Sequence, residues 1–259
     1  MIKGSPSLFV PSPSTRRERG VESILNRHDG EFVLYGAGKA ALRDGLAGLV
    51  DPGETVLVPA YLPDAVVEPL YDLELEPQYY AVEPSLAPDF VDLERRLDDD
   101  VVAVLSVNYF GFPQPGLEEF RSIVADYGCY HVDDNAHSPL SVDDGTLLGT
   151  RGHLGITSLW KLFPVPDGAI LYLNDEQAVD AYDPSDSAGV RDGFDGADCR
   201  FLLKSAFSEL LDRNGTIRRS VDAVLDRRDE KLSVGGPRER YEQGKRPMSK
   251  LSAYVVEES

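Results

Sequence analysis

Four short segments of the chain carry side chains whose types and spacing could do chemistry. Lys161, one of only seven lysines, stands in Thr157-Ser158-Leu159-Trp160-Lys161-Leu162 among apolar neighbours. Such surroundings disfavour the ammonium form and turn a lysine into a nucleophilic amine. Asp133-Asp134-Asn135-Ala136-His137 follows a short apolar run. Acids at a strand's C-terminal end face the crevice where open α/β sheets bind ligands, and one carboxylate there could keep a heteroaromatic nitrogen protonated. Gly36-Ala37-Gly38-Lys39-Ala40-Ala41-Leu42 opens a helix with small residues, whose free amides and dipole suit a phosphate. It is no P-loop, because the four-residue spacer is absent and Ala40 stands where a hydroxyl would hold magnesium. Tyr109 to Pro115 reads as a rigid aromatic turn beside the pocket. Taken singly, each segment has a plainer reading: a tight turn, a solvated acidic loop, a snorkelling lysine, a structural corner.

These side chains meet only if the elements between them build a sheet. Thr55–Pro59, Gln78–Val82, Val101–Val107, Cys129–Val132 and Ala169–Leu173 read as strands. Val101–Val107 is a continuous apolar run, the pattern of a strand buried on both faces. Helices are predicted over Asp64–Leu70, Phe90–Leu97 and Leu117–Tyr127, the last closed by Gly128. Strands alternating with helices imply right-handed βαβ units and a mainly parallel sheet. Beyond Asn174 the texture changes. Asp180 to Asp198 reads as a surface excursion, Phe201–Leu211 and Thr216–Leu232 as helices, and Gly235–Pro247 as a polar linker.

Composition narrows the function classes. Forty-five Asp and Glu against 26 Lys and Arg give a net charge of -19. That surface suits a high-salt, halophilic cytoplasm, where screening removes the self-repulsion. It argues against nucleic-acid binding, which needs clustered cations. Cys129 and Cys199 are too few for a disulfide framework and lack metal spacing. No run approaches the length of a membrane span, and Met1 to Gly20 has no apolar signal core. The expectation is a soluble cytoplasmic protein.

In this order, five segments resemble the DegT/DnrJ/EryC1/StrS aminotransferases: Ala37–Leu42, Val56–Tyr61, Val107–Gly111, Asp133–His137 and Ser158–Gly168. The resemblance covers Phe32 to Asn174. It implies an α/β chain of pyridoxal 5'-phosphate (PLP) transferase fold type I, with a mainly parallel seven-stranded sheet between helices. It further implies an N-terminal arm over 1–30, a PLP-binding large domain over 31–234, and over 235–259 a linker and the start of a C-terminal small domain that is largely missing. By the same resemblance Lys161 carries PLP as a Schiff base and shuttles the proton. Asp134 pairs with the ring nitrogen, and His137 lies against or beside the ring. Gly38, Lys39 and Ala40 form the phosphate turn with the Ser158 hydroxyl, and Tyr61 or a neighbour stacks on the ring.

The match has departures. Lys39 replaces a common Thr, which trades a hydroxyl for a cation, and Pro63 sits near the usual stacking aromatic, so Tyr61 is conditional. The Ser158-to-Lys161 spacing is short. Lys161 itself disfavours the dehydratase branch, which carries histidine there. The implied activity is amino transfer from an amino acid, glutamate being the expected donor, to a keto sugar, expected to be nucleotide-linked, in a homodimer. The short chain leaves two alternatives: a complementary chain supplying the C-terminal domain, or a catalytically incompetent PLP-fold subunit with a regulatory or scaffolding role. A doubly wound nucleotide binder is a third reading, in which Lys161 would be idle.

Overall fold

A computed structural model of the chain describes Leu25, residues 30–212 and residues 236–257. The expected helix over Thr216–Leu232 and nearly all of the N-terminal arm lie outside these described residues. Nine strands are present among them: β1 (Glu31–Tyr35), β2 (Thr55–Pro59), β3 (Glu76–Tyr80), β4 (Val101–Val107), β5 (Tyr130–Asp134), β6 (Val142–Asp143), β7 (Thr146–Leu147), β8 (Leu154–Ser158) and β9 (Ala169–Leu173). The helices are α1 (Gly38–Ala47), α2 (Glu68–Asp72), α3 (Phe90–Arg96), α4 (Leu117–Asp126), α5 (Glu176–Ala181), α6 (Gly196–Asp212), α7 (Pro237–Gly244) and α8 (Lys250–Glu257).

Seven strands form one sheet in the order β1-β9-β8-β5-β4-β2-β3, and β6 and β7 form a separate hairpin. From β8 across to β3 every pairing is parallel, while β9 runs antiparallel to both β1 and β8. This is the mainly parallel α/β sheet between helices that the alternation implied. The apolar β4 lies inside the sheet, between β2 and β5.

Alternation along the strands sorts the core into two faces. On the first face Val56, Val58, Ala103, Leu105, Val132, Leu154, Ile156, Ala169 and Leu171 pack against α1 and α2. The opposite face divides in two. Leu57, Tyr80 and Val104 meet α3 and α4 through Leu93, Phe120 and Val124, and Ile170 and Tyr172 meet α8 through Val256. Small residues let α1 come close to the sheet: a Cβ on Gly45 would stand 2.7 Å from Leu171 Cδ1. Helix α4 ends where Gly128 takes φ +70°, the left-handed turn that stops a helix.

Several boundaries differ from the sequence reading. β5 runs on to Asp134, so the acidic pair lies inside the strand rather than after it. β3 starts two residues earlier than predicted; paired only with β2, this edge strand shows its polar residues to solvent and gives a weak burial signal. Asp64–Leu70 divides into a 3-10 turn over Asp64–Val66 and the short α2, which takes Pro69 into its first turn. The stretch read as a polar linker contains α7, whose Tyr241 is buried against α1 and α2. No helix among the described residues is long and apolar enough to cross a membrane.

Candidate active site

The site lies where the parallel strands end. β1, β8 and β5 finish along one edge: Tyr35 pairs with Ala169, Ala169 with Ser158, and Asp134 with Ile156. Strand period then decides which side chains share a face. Val132 and Ile156 belong to the core beneath α1, so Asp134 and Ser158, two residues further on, rise on the same face. Gly38, the first residue of α1, sits above them, and a Cβ there would stand 3.0 Å from Ser158 Oγ.

The two members of the acidic pair therefore have different neighbours. Asp133 points to the opposite face. There it accepts hydrogen bonds from Asn108 Nδ2 at 2.6 Å and from the amides of Gly149 at 2.9 Å and Arg151 at 3.1 Å. It ties the segment that follows β7 to the sheet. Asp134 is only 4% exposed and its Oδ1 accepts from the Ala136 amide at 2.7 Å. Burial pushes its pKa up to about 6, against the lowering effect of that amide and of the nearby Lys161 charge.

Lys161 ends the 3-10 turn that follows β8. Its residue surface is open, yet desolvation of the ammonium lowers its pKa, opposed by attraction to Asp134. Lys161 thus follows the C-terminal end of β8, and Asp134 ends the neighbouring β5. His137 completes the group. Desolvation first, and the Lys161 charge second, lower its pKa, and its buried Nδ1 has no hydrogen-bond partner among the described residues. Its ring stacks on Phe110, with centroids 5.6 Å apart and planes 6° from parallel.

The α1 turn has the features of an anion cradle. Its N-cap is Ala37, which has no side-chain oxygen to cap the first-turn amides. Ala40 is already engaged, since its amide donates to the Ala37 carbonyl at 3.1 Å and its methyl lies in the core. Among the described residues, Gly38 and Lys39 are left as the open amides. The Lys39 side chain turns to α7, with its ammonium 5.9 Å from the centroid of the Tyr241 ring, and desolvation lowers its pKa.

Tyr61, conditionally the ring-stacking residue, is 58% exposed. Its ring lies 5.5 Å from Tyr109, and its carbonyl accepts a hydrogen bond from the Tyr109 hydroxyl at 2.9 Å. Tyr109 in turn lies 6.4 Å from His137. The aromatic turn read mainly as structural thus places Tyr109 and Phe110 beside His137. Phe110 adopts φ +57°, an unusual left-handed conformation for a bulky side chain. No local pattern in the sequence announces that conformation.

A cavity of about 1160 Å³ opens between α4 and the β6–β7 hairpin, lined by Gln114, Arg121, His131, Arg151 and His153 among others. It lies by the face that Asp133 addresses. None of the predicted site residues Lys161, Asp134, His137, Ser158 and Gly38 lines it.

Comparison with known proteins bears on this geometry. The model of the DegT/DnrJ/EryC1/StrS aminotransferase family matches residues 35–197. A DegT DnrJ EryC1 StrS aminotransferase from Brucella abortus is 24% identical with a TM-score of 0.55, over 61% of this chain and 46% of that one. The aminotransferase TlmJ from Streptoalloteichus hindustanus is 26% identical with a TM-score of 0.52, over 58% and 42% respectively. The E. coli GDP-4-keto-6-deoxy-D-mannose-3-dehydratase, solved with bound hydrated PLP, is 20% identical with a TM-score of 0.53, over 61% and 43%. The matched region spans less than half the length of each of these structures. No curated protein sequence matches the chain significantly.

Proposed function

The chain belongs to the DegT/DnrJ/EryC1/StrS aminotransferase family, and on that premise we propose that it is a PLP-dependent aminotransferase using Lys161. The observation that carries the reading is that three unlike groups gather at the C-terminal ends of β5 and β8. They are a desolvated amine, a buried carboxylate and an uncapped helix start beside a serine hydroxyl. These groups fit the cofactor's aldehyde, ring nitrogen and phosphate in turn, and the orphaned His137 Nδ1 leaves a polar contact for a ligand.

Bound there, PLP supplies an aldehyde that takes up amines and a ring that accepts an electron pair from the adjacent carbon. The protein's part follows from its own residues. The amides of Gly38 and Lys39 and the Ser158 hydroxyl would hold the phosphate. Asp134 would hold a proton at the ring nitrogen, where an opposite charge relieves the cost of its burial. His137, kept neutral and fixed by Phe110, would bound one side of the ring. Desolvation gives Lys161 a larger neutral fraction than a solvated lysine, which would suit it to hold the cofactor through its aldehyde carbon, with the carbonyl oxygen leaving as water, and to move a proton as base and acid.

The substrates belong to the same proposal: an amino acid donor, glutamate first, and a keto sugar, nucleotide-linked, as acceptor. The family resemblance supports them, and no residue described above reads a sugar. Lysine at position 161, where the dehydratase branch carries histidine, favours transfer over dehydration. A homodimer in a salt-rich cytoplasm completes the reading, supported by the family and by the acidic surface.

The test is addition of PLP to the purified chain, followed by borohydride reduction and peptide mapping. The expected result is an absorbance band from covalent capture, a PLP mass on the Lys161 peptide, and neither in Lys161→Ala. Intact protein that captures no PLP would refute the proposal. Capture without amino transfer from glutamate or other donors favours the alternative, a regulatory or scaffolding subunit on the same fold.

A further inference from the structure

Beside the Lys161 turn lies a buried carboxylate that the proposed chemistry does not use. Asp167, 6% exposed, ends the loop that leaves Lys161. Its Oδ1 accepts hydrogen bonds from the Ser249 amide at 2.9 Å and the Ser252 hydroxyl at 2.7 Å. Its Oδ2 lies 3.4 Å from the guanidinium groups of both Arg191 and Arg246. One carboxylate therefore joins the Lys161 loop, the excursion after α5 and the start of α8.

The main chain closes the circuit. The Leu159 amide donates to the Gly168 carbonyl at 2.9 Å, the Gly168 amide to the Gly36 carbonyl at 2.9 Å, and the Gly36 amide to the Arg246 carbonyl at 3.0 Å. Contact here is close enough to exclude a side chain, since a Cβ on Gly36 would stand 2.5 Å from Arg246 O. A closed path thus runs from the Lys161 turn through Gly168 and Gly36, the entrance of the α1 turn, to Arg246 and back to Asp167. Charged hydrogen bonds to a desolvated carboxylate are the strong members of such a path.

We propose that Asp167 is a positioning residue that holds the Lys161 turn in register with the Gly36–Gly38 turn, fixing the separation between amine and phosphate cradle. The proposal rests on the PLP reading above. An aldehyde carbon and a phosphate are joined through one rigid ring, so a cradle and an amine that drift independently cannot both be satisfied. Displacements of the order of an ångström are enough to matter. Asp167 needs no contact with the cofactor for this, and Ser252, Ser249 and Arg246 act through it.

The discriminating measurement is the preference of the full chain for pyridoxal phosphate over pyridoxal, which lacks the phosphate. Covalent capture is followed by absorbance, with Tm recorded in parallel. A register role makes phosphate recognition and amine capture interdependent, so Asp167→Asn lowers the preference about tenfold. Ser252→Ala, which removes one hydroxyl and serves if Asp167→Asn does not fold, lowers it about threefold. A preference unchanged in a folded variant, however far Tm falls, overturns the proposal and leaves the Lys161 reading intact. Failure of the unaltered chain to capture either aldehyde removes that reading, and the proposal with it.

Discussion

Asp134→Asn should make the cofactor-free protein more stable at neutral pH while weakening its hold on PLP. Asp134 is nearly inaccessible, and burial moves its pKa from 3.8 up to about 6. A raised carboxyl pKa means that the folded state binds the proton more tightly than the unfolded state. Stability is then lost as pH rises from about 4 through about 6 and does not return above that window. At about 1.4 kcal/mol per tenfold change, the interval amounts to roughly 3 kcal/mol of destabilisation carried at pH 7. Asparagine keeps an oxygen for the Ala136 amide, so the variant removes the charge without removing that acceptor. The assay is urea unfolding of cofactor-free protein at several pH values and constant salt. The expected result is a variant about 1–3 kcal/mol more stable at pH 7, with the difference gone near pH 4. In the same variant PLP capture should weaken, because a neutral amide cannot hold a ring-nitrogen proton by charge. A stability difference independent of pH, or a wild type more stable at pH 7, would refute the reasoning about this carboxylate.

Three other substitutions test separate parts of the argument. Gly38→Ala places a methyl 3.0 Å from Ser158 Oγ; PLP affinity measured by titration should fall at least about tenfold, while unfolding free energy shifts by no more than about 1 kcal/mol. Gly155→Ala would set a Cβ 1.9 Å from the Gly149 carbonyl and 2.8 Å from that of Asp133. Denaturant unfolding, or loss of soluble protein, should report a cost of at least about 3 kcal/mol. Tyr35→Phe removes a hydroxyl that donates to Asp44 at 2.9 Å and lies 2.7 Å from the Tyr182 hydroxyl. Asp44 keeps its Ser185 and Arg43 partners, so the expected loss is about 2 kcal/mol, read from the same unfolding curves.

The sequence alone was enough for five of the seven strands of the main sheet, the buried central strand, the acidic pair ahead of a lone lysine, and the family resemblance those segments carry. These are local properties. Burial of a strand on both faces shows as an apolar run, a helix face shows as a spacing, and a small-residue turn shows as composition. Local properties did not show that Asp133 and Asp134 lie inside β5 and point to opposite faces. That was settled by Asn108, Gly149 and Arg151, which claim Asp133 from one side, and by α1, which covers the other. Tertiary structure alone also decided that Gly38 meets Ser158 across 120 positions of chain, that Phe110 turns left-handed to stack on His137, and that the apparent linker carries a helix with a buried tyrosine. Asp167 escaped notice because an aspartate before a glycine has the composition of any surface turn. Its role comes from partners more than twenty and more than eighty residues away, and a local pattern cannot encode which distant segments packing will bring together.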